Sequence, residues 1–282
     1  MPVFRLRALF CLPMLSLCLL LITPQASAVR LSMCQGNFEA IRGPAYQFAL
    51  QSAPVNVDPL LVRDIEMGAR GIYQHWEALL AAPVPFVVDV RLELFADAGA
   101  FRQRKQSLVP ELPEVTGFYA WEPRLAVALL DASSVESRHR ALHEISHLIT
   151  VSQLGGAPHW LAEGLAEVHE TIVVTPHGPE FHVNPRHRRW LAVAAAPSLT
   201  ELFEAPYTAW TAFDSQRLYA LSWSLMYFLL QSSEGRGALG FTLQQASTHS
   251  CGSYDAGGFL VRSYPGGAAA LQRDWADWLR SV

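Results

Sequence analysis

The chain has 282 residues, of which 51% are hydrophobic and only 16% are charged. This composition excludes an intrinsically disordered chain, because disordered chains are poor in apolar residues and rich in charge. The net charge of −4 provides no basic surface for nucleic acid, and the length is sufficient for one or two domains with a hydrophobic core.

The N-terminus has the pattern of a secretory signal peptide. Arg5 and Arg7 precede an apolar run at residues 8–22, and Ala26 and Ala28 form an Ala-x-Ala cleavage site. The run is shorter than the roughly 20 residues that span a bilayer, although an uncleaved anchor is the alternative. We therefore expect a signal peptide at residues 1–28 and an exported, periplasmic protein without a stable transmembrane anchor.

Cleavage at this point leaves a chain of residues 29–282 with a net charge of −6 and two cysteines, Cys34 and Cys251. In an exported protein such a pair is a candidate disulfide, which here would join the N-terminal segment to the C-terminal region. Two unpaired thiols are the alternative.

The first half of the chain is predicted to contain most of the strands. Apolar residues recur at helical intervals over 58–80, and a strand is predicted at 86–95. Asp97 is a candidate N-cap for a helix that continues to residue 106, and residues 117–121 and 124–130 are predicted to form two strands.

The second half is predicted to be mainly helical. Helices are expected at 135–151 and 158–170, followed by a hairpin with strands at 172–175 and 181–183. Further helices are predicted at 188–196, 215–231, 237–247 and 268–280. Strands followed by helices indicate an α+β domain over 29–282, with a sheet-containing part at about 29–156 and a helical part at about 157–282.

The most informative segment is His143-Glu144-Ile-Ser-His147 in the helix predicted at 135–151. At 100° per residue, His143 and His147 share one face of this helix, opposite its apolar stripe. Two imidazoles one turn apart can occupy two corners of a tetrahedral zinc site, with Glu144 placed to accept a proton from a metal-activated water. Two surface histidines on an amphipathic helix are the alternative.

The next predicted helix carries Glu163, Glu167 and Glu170 on one face. Like charges at this spacing repel each other by a few tenths of a kcal/mol per pair, and no Lys or Arg occurs between residues 157 and 174. A bound cation would remove this repulsion, and one carboxylate would complete a His₂Glu ligand set. A solvated acidic face is the alternative.

The pattern His143-Glu-x-x-His147 followed by Trp160-Leu-x-Glu163-Gly-x-Ala-Glu167 resembles the gluzincin metallopeptidases, the group that holds thermolysin and the zinc aminopeptidases. The second motif is most similar to the aminopeptidase branch and to uncharacterised secreted bacterial members. The resemblance is specific over residues 138–170.

The resemblance implies a zincin-like fold, in which a small mixed sheet packs on the helix of the first motif. It implies Zn²⁺ bound by His143, His147 and Glu163, with Glu144 as general base. It also suggests Glu167 as the carboxylate that holds a ligand histidine. Residues 86–131 would supply a sheet whose edge strand lines the cleft, and we expect that strand at 124–130.

Two features depart from the best-known members of the group. Glu163 follows His147 by 16 positions, a few fewer than in those members, so the connection between the helices must be tighter. The Gly-x-Met-Glu-Asn motif that binds a free amino terminus in the aminopeptidases is absent upstream. We therefore expect an endopeptidase acting on a peptide or protein substrate.

Outside the two motifs, Tyr219 is the candidate for stabilising the oxyanion, because related secreted proteins carry a similar Tyr-x-x-Ser-Trp segment. A place in an aromatic core helix is the alternative for Tyr219. Four further histidines, in loops or beside the first motif, are weaker candidates for substrate contact: His139, His177, His182 and His187.

The sequence thus predicts a secreted zinc peptidase. A catalytically inactive zincin-like module that binds or assembles envelope components is the alternative. The sequence predicts neither the oligomeric state nor the substrate.

Overall fold

The computed structural model describes residues 46–82, 84, 88–191, 198–212, 215–249 and 254–281. The predicted signal peptide, Cys34 and Cys251 lie outside these ranges, so the cleavage site and the disulfide stay predictions. Within the described ranges, no helix has both the length and the apolar character needed to cross a bilayer.

The described residues form an α+β fold with a small mixed sheet and a mainly helical C-terminal part, as predicted. The strands are β1 (Tyr46–Ser52), β2 (Val88–Phe95), β3 (Gly117–Ala120), β4 (Leu125–Leu129), β5 (Ile172–Thr175) and β6 (Gly178–Phe181). The helices of the first two thirds are α1 (Pro59–Leu80), α2 (Ala98–Leu108), α3 (Ser134–Leu154), α4 (His159–His169) and α5 (Pro185–Leu191). Those that follow are α6 (Leu199–Phe203), α7 (Tyr207–Trp210), α8 (Gln216–Leu230), α9 (Ser233–Thr248), α10 (Ala256–Ser263) and α11 (Gly267–Ser281).

The four-stranded sheet has the order β1-β2-β4-β3. β1 pairs parallel with β2 and β2 parallel with β4, whereas β3 pairs antiparallel with β4. The expectation that residues 124–130 form the edge strand at the cleft is wrong, because β4 lies between β2 and β3. Four of the five β4 residues are buried, which is typical of an interior strand covered on both faces, and β3 is the edge strand on this side of the sheet.

Helix α3 packs across β2, β3 and β4 and also contacts α1 and α4. It begins where the Ser133 hydroxyl accepts a hydrogen bond from the Glu136 amide at 3.3 Å, and it ends at Gly155, whose φ of 66° is left-handed. Ile145 and Ile149 are fully buried against the sheet side of the core. The prediction of a helix at 135–151 is therefore confirmed, with three more residues at its C-terminal end.

Several element boundaries differ from the predictions for local reasons. β1 was not predicted, because its alternation is weak and its residues are mostly half-buried or exposed. The helix predicted to start at residue 188 starts at Pro185, since Asn184 accepts a hydrogen bond from the Arg186 amide and so caps it. In the hairpin, the second strand is β6 rather than 181–183, because the reversal takes place before Gly178.

A buried histidine pair joins three helices. His75 Nδ1 of α1 lies 2.9 Å from His169 Nε2 of α4, and His169 Nδ1 lies 2.7 Å from the Ser146 hydroxyl of α3. Burial lowers the pKa of His75 to about 3 and lowers the pKa of His169 well below its ordinary value. Both rings are therefore neutral in the folded protein over the physiological range, and their role is structural.

The lowered pKa values of His75 and His169 predict that the protein is less stable in mild acid. Below pH 6.5 the unfolded chain binds protons at His75 and His169 while the folded protein does not. The free energy of unfolding therefore falls as the pH is lowered, by up to about 1.4 kcal/mol per pH unit for each histidine. Urea unfolding in chelator at several pH values between about 5 and 7 measures this slope.

The matched comparison is His75→Gln, which keeps a hydrogen-bonding side chain next to His169 and removes one titrating group. Its slope is expected to be shallower than that of the unmodified protein by about one proton. Equal slopes in the two proteins would show that His75 is not the group that titrates.

Candidate metal centre

Three potential ligand atoms converge between α3 and α4. His143 Nε2 lies 3.1 Å from His147 Nε2, and Glu163 Oε2 lies 3.3 Å from the first nitrogen and 3.5 Å from the second. The structure thus brings together the three side chains that the sequence analysis named as ligands. The helical spacing places both imidazoles on one face of α3, and α4 crosses that face with Glu163 directed at them.

The triangle of ligand atoms has the dimensions of a tetrahedral metal site. With metal–ligand distances of about 2.0–2.1 Å, ligand atoms at the corners of a tetrahedron are about 3.3–3.4 Å apart. The three measured separations lie on both sides of this value. In addition, the buried Glu163 Oε2 accepts no well-directed hydrogen bond from any described residue, which leaves its lone pairs available to a cation. The donor set therefore fits zinc.

The electrostatics of the triangle favour positive charge. Burial would raise the pKa of Glu163, but His147 and His143 hold it well below its usual range. Burial would likewise lower the pKa of His143, but its contacts with Glu163 and Glu170 hold it well above its ordinary value. Without a metal, a proton on His143 supplies positive charge next to these carboxylates.

Glu144 lies beside the triangle and under the edge strand of the sheet. Its side chain is buried, and burial raises its pKa against the opposing effect of His143 and His147. A Cβ atom at Gly117 of β3 would lie 2.7 Å from Glu144 Oε1, so the glycine provides the space that this carboxylate occupies. A carboxylate with a raised pKa next to a metal is suited to exchange a proton with a water molecule.

The carboxylate hydrogen-bonded to His143 is Glu170, whereas Glu167, which the resemblance suggests for holding a ligand histidine, contacts Arg186 and His187. His143 Nδ1 donates a hydrogen bond to Glu170 Oε1 at 3.0 Å, which leaves Nε2 of the same ring free to bind a metal. The helical wheel of α4 places both carboxylates within about 40° of Glu163, on opposite sides of it. Glu170 contacts both α3, through His143, and the start of α5, through Arg186, whereas Glu167 is hydrogen-bonded to Arg186 and His187 of α5.

The start of α5 binds both of these acids. Arg186 Nη2 donates to Glu167 Oε2 at 2.7 Å and to Glu170 Oε2 at 3.3 Å, where the Asn184 amide also donates. His187 Nε2 donates to Glu167 Oε2 at 2.5 Å, and its ring is buried. These hydrogen bonds offset part of the repulsion along α4, and of its three acids Glu163 is the one that Arg186 and His187 do not contact.

Two tyrosines border the triangle. The Tyr119 ring of β3 lies 5.2 Å from the His147 ring, and burial, together with Glu163 and Glu144, raises the pKa of its hydroxyl to about 12. Tyr219 of α8 is half-buried, and burial followed by the same two acids and Glu167 raises its pKa. Tyr219 therefore lies within electrostatic range of these acids, and its role at the oxyanion stays a prediction. Tyr119 was not predicted from the sequence.

The remaining predicted histidines have different positions. His139 lies one turn before His143 and its pKa is lowered mainly by burial, whereas His177 and His182 are exposed around the β5–β6 hairpin. Of the loop histidines, only His187 reaches an acid of the site. The Asn184-Pro185 sequence is a helix-start signal that could have placed His187 in a helix rather than a loop.

The contact between His143 and Glu170 predicts the metal affinity of a Glu170→Gln variant. The amide cannot provide the charge that stabilises the ligand histidine, so we expect zinc affinity to fall by about 10- to 100-fold. Competition with a chromophoric chelator measures it. Glu180→Gln, which changes an exposed carboxylate of β6, is the control and should leave the affinity unchanged.

A scan of protein-family models finds no match to this chain, and a search of curated proteins finds no similar sequence.

Proposed function

We propose that this protein is an exported zinc-dependent peptidase of the zincin-like type, in which His143, His147 and Glu163 bind the metal. The observation that carries the proposal is the triangle of three ligand atoms 3.1–3.5 Å apart with Glu144 beside it. A metal-binding site of purely structural use would need a fourth protein ligand, whereas a catalytic site keeps one position open. The described residues provide three ligands in this group.

Zinc, when bound, would supply a Lewis acid that lowers the pKa of a water molecule and polarises the substrate carbonyl. Glu144 accepts the proton of the attacking water, for which its buried position and raised pKa are suitable. The same carboxyl group then delivers the proton to the leaving amine. Glu170 keeps His143 in the tautomer that presents Nε2 to the site.

The oxygen of the attacked carbonyl becomes negatively charged and requires a hydrogen-bond donor. Tyr219 fills this role in the proposal, since its raised pKa keeps the hydroxyl protonated. The edge strand β3 runs beside Glu144, where an extended peptide can pair with the free strand edge. This arrangement suits an endopeptidase that binds its substrate on both sides of the cleaved bond.

The test has two measurements on protein purified without an affinity tag. Metal content is determined first, and about one zinc per chain is expected. A peptide library is then digested with and without chelator, and we expect cleavage that chelator abolishes and added zinc restores. Protein without bound metal, or digestion that is insensitive to chelator, contradicts the proposal. Bound zinc without digestion favours a zincin-like binding module.

A further inference from the structure

The two ends of α4 differ in the side chains that surround them next to the metal triangle. Toward its C-terminus, one turn past Glu163, Glu167 meets Arg186 and the charged start of α5. Toward its N-terminus, one turn before Glu163, His159 meets aromatic rings from α7. Since successive turns of a helix are 5.4 Å apart, both surroundings lie within reach of a peptide bound at the triangle.

Four rings form a continuous row at the N-terminal end, which we call the aromatic cluster: Tyr207, His159, Trp210 and Tyr219. The ring centroids of Tyr207 and His159 are 5.1 Å apart, those of His159 and Trp210 are 5.6 Å apart, and those of Trp210 and Tyr219 are 5.6 Å apart. His159 lies one turn before Glu163 on α4, so the row lies next to the triangle. At one end of the row Tyr207 is 58% exposed.

The aromatic cluster is uncharged. Residues 156–162 and 205–212, which carry three of its members, contain no Asp, Glu, Lys or Arg. Burial lowers the pKa of His159, so its imidazole is neutral at pH 7. Tyr207 is the most exposed residue of the row, so part of its side chain is open to solvent. A charged side chain would lose hydration among these rings, whereas an apolar one would bury area favourably.

We propose that the aromatic cluster is a specificity subsite that binds an uncharged aromatic or large aliphatic side chain of the substrate, with Tyr207 as its outer wall. The subsite deepens the proposed function, on which it rests for the position of the cleaved bond. Aromatic ring pairs contribute about 0.5–1.5 kcal/mol beyond buried area, so the expected preference over alanine is roughly two- to tenfold in affinity.

The test measures binding without turnover, in the zinc-loaded Glu144→Gln variant. Blocked alanine peptides that carry a single guest residue, Phe, Leu, Glu or Lys, at each successive position are titrated by fluorescence anisotropy. We expect one position at which Phe and Leu bind roughly two- to tenfold more tightly than Ala, and Glu and Lys less tightly. Adding Tyr207→Ala should abolish this preference.

The matched control is Phe241→Ala, which removes an aromatic side chain of similar exposure from α9. It should leave the preference intact. A preference that survives Tyr207→Ala, a preference for Glu or Lys, or no measurable binding of any peptide would overturn the subsite. Digestion of the same peptides by the unmodified protein separates the two proposals. Cleavage without guest preference refutes only the subsite, and selective binding without cleavage refutes only the peptidase.

Discussion

A Glu144→Gln variant is expected to keep the bound metal and to lose peptide hydrolysis by a factor of about 10²–10⁴. The amide has nearly the same shape as the carboxylate but cannot accept the proton of the attacking water. Because Glu144 does not belong to the ligand triangle, the metal site itself should persist. Metal content per chain and kcat/KM on a cleaved library peptide measure the two effects separately.

Two further variants serve as controls for this prediction. His143→Ala removes a corner of the triangle, so both metal content and hydrolysis should be lost. Glu136→Gln changes an exposed carboxylate in the first turn of the same helix and should alter neither. Full activity of Glu144→Gln would show that a different group is the general base.

Replacement of Gly164 by alanine is expected to disturb the fold and the metal centre together. A Cβ atom at this position would lie 2.8 Å from the Ser222 carbonyl oxygen and 2.7 Å from Met226 Cγ of α8. A backbone atom cannot move aside as a flexible side chain can, so α4 and α8 must separate. Overpacking of this kind costs about 1–3 kcal/mol in the free energy of unfolding, and the shift of α4 also displaces the neighbouring ligand Glu163.

Urea unfolding in chelator measures the first effect of Gly164→Ala, and chelator competition for zinc measures the second. Gly237→Ala in α9 is the matched control, since a Cβ there meets no atom within 4 Å. That variant should gain about 0.5–1 kcal/mol of stability from alanine's greater helix propensity and bind zinc normally. Unchanged stability and zinc affinity in Gly164→Ala would show that the helix contact is not tight.

This close contact links the second sequence motif to the architecture. The glycine that follows the proposed ligand Glu163 lets α8 approach α4, and Tyr219 of α8 lies within electrostatic range of Glu163. The motif therefore combines a proposed ligand with a packing residue.

Much of the candidate site could be predicted because helical periodicity is local. His143 and His147 share a face of α3 whatever the rest of the chain does, and the same holds for the acids of α4. A helical-wheel projection does not show which of Glu167 and Glu170 contacts His143. That choice depends on the angle at which α4 crosses α3 and on the position of α5, which are set by packing between distant segments.

The sheet also has features that could be predicted from the sequence and features that depend on the tertiary structure. The sequence predicted strands at 117–121 and 124–130 from their apolar composition, and their pairing is antiparallel as expected for neighbours joined by a short turn. Which of them forms the edge depends on β2 pairing with β4, a contact between strands about 30 positions apart. Because of this non-local pairing, β3 with its Gly117, and not β4, lies next to Glu144.

The sequence by itself thus determined the helices, their polar faces and the residue types available to bind a metal, because each of these depends on neighbours within a few positions. Only the tertiary structure decided which side-chain atoms meet at 3.1–3.5 Å, which acid contacts His143, and that Arg186 and His187 donate hydrogen bonds to Glu167. It also placed the aromatic cluster at the N-terminal end of α4. These arrangements arise from helices that are distant in the sequence and pack against each other. Local sequence patterns do not determine the angle at which such helices cross.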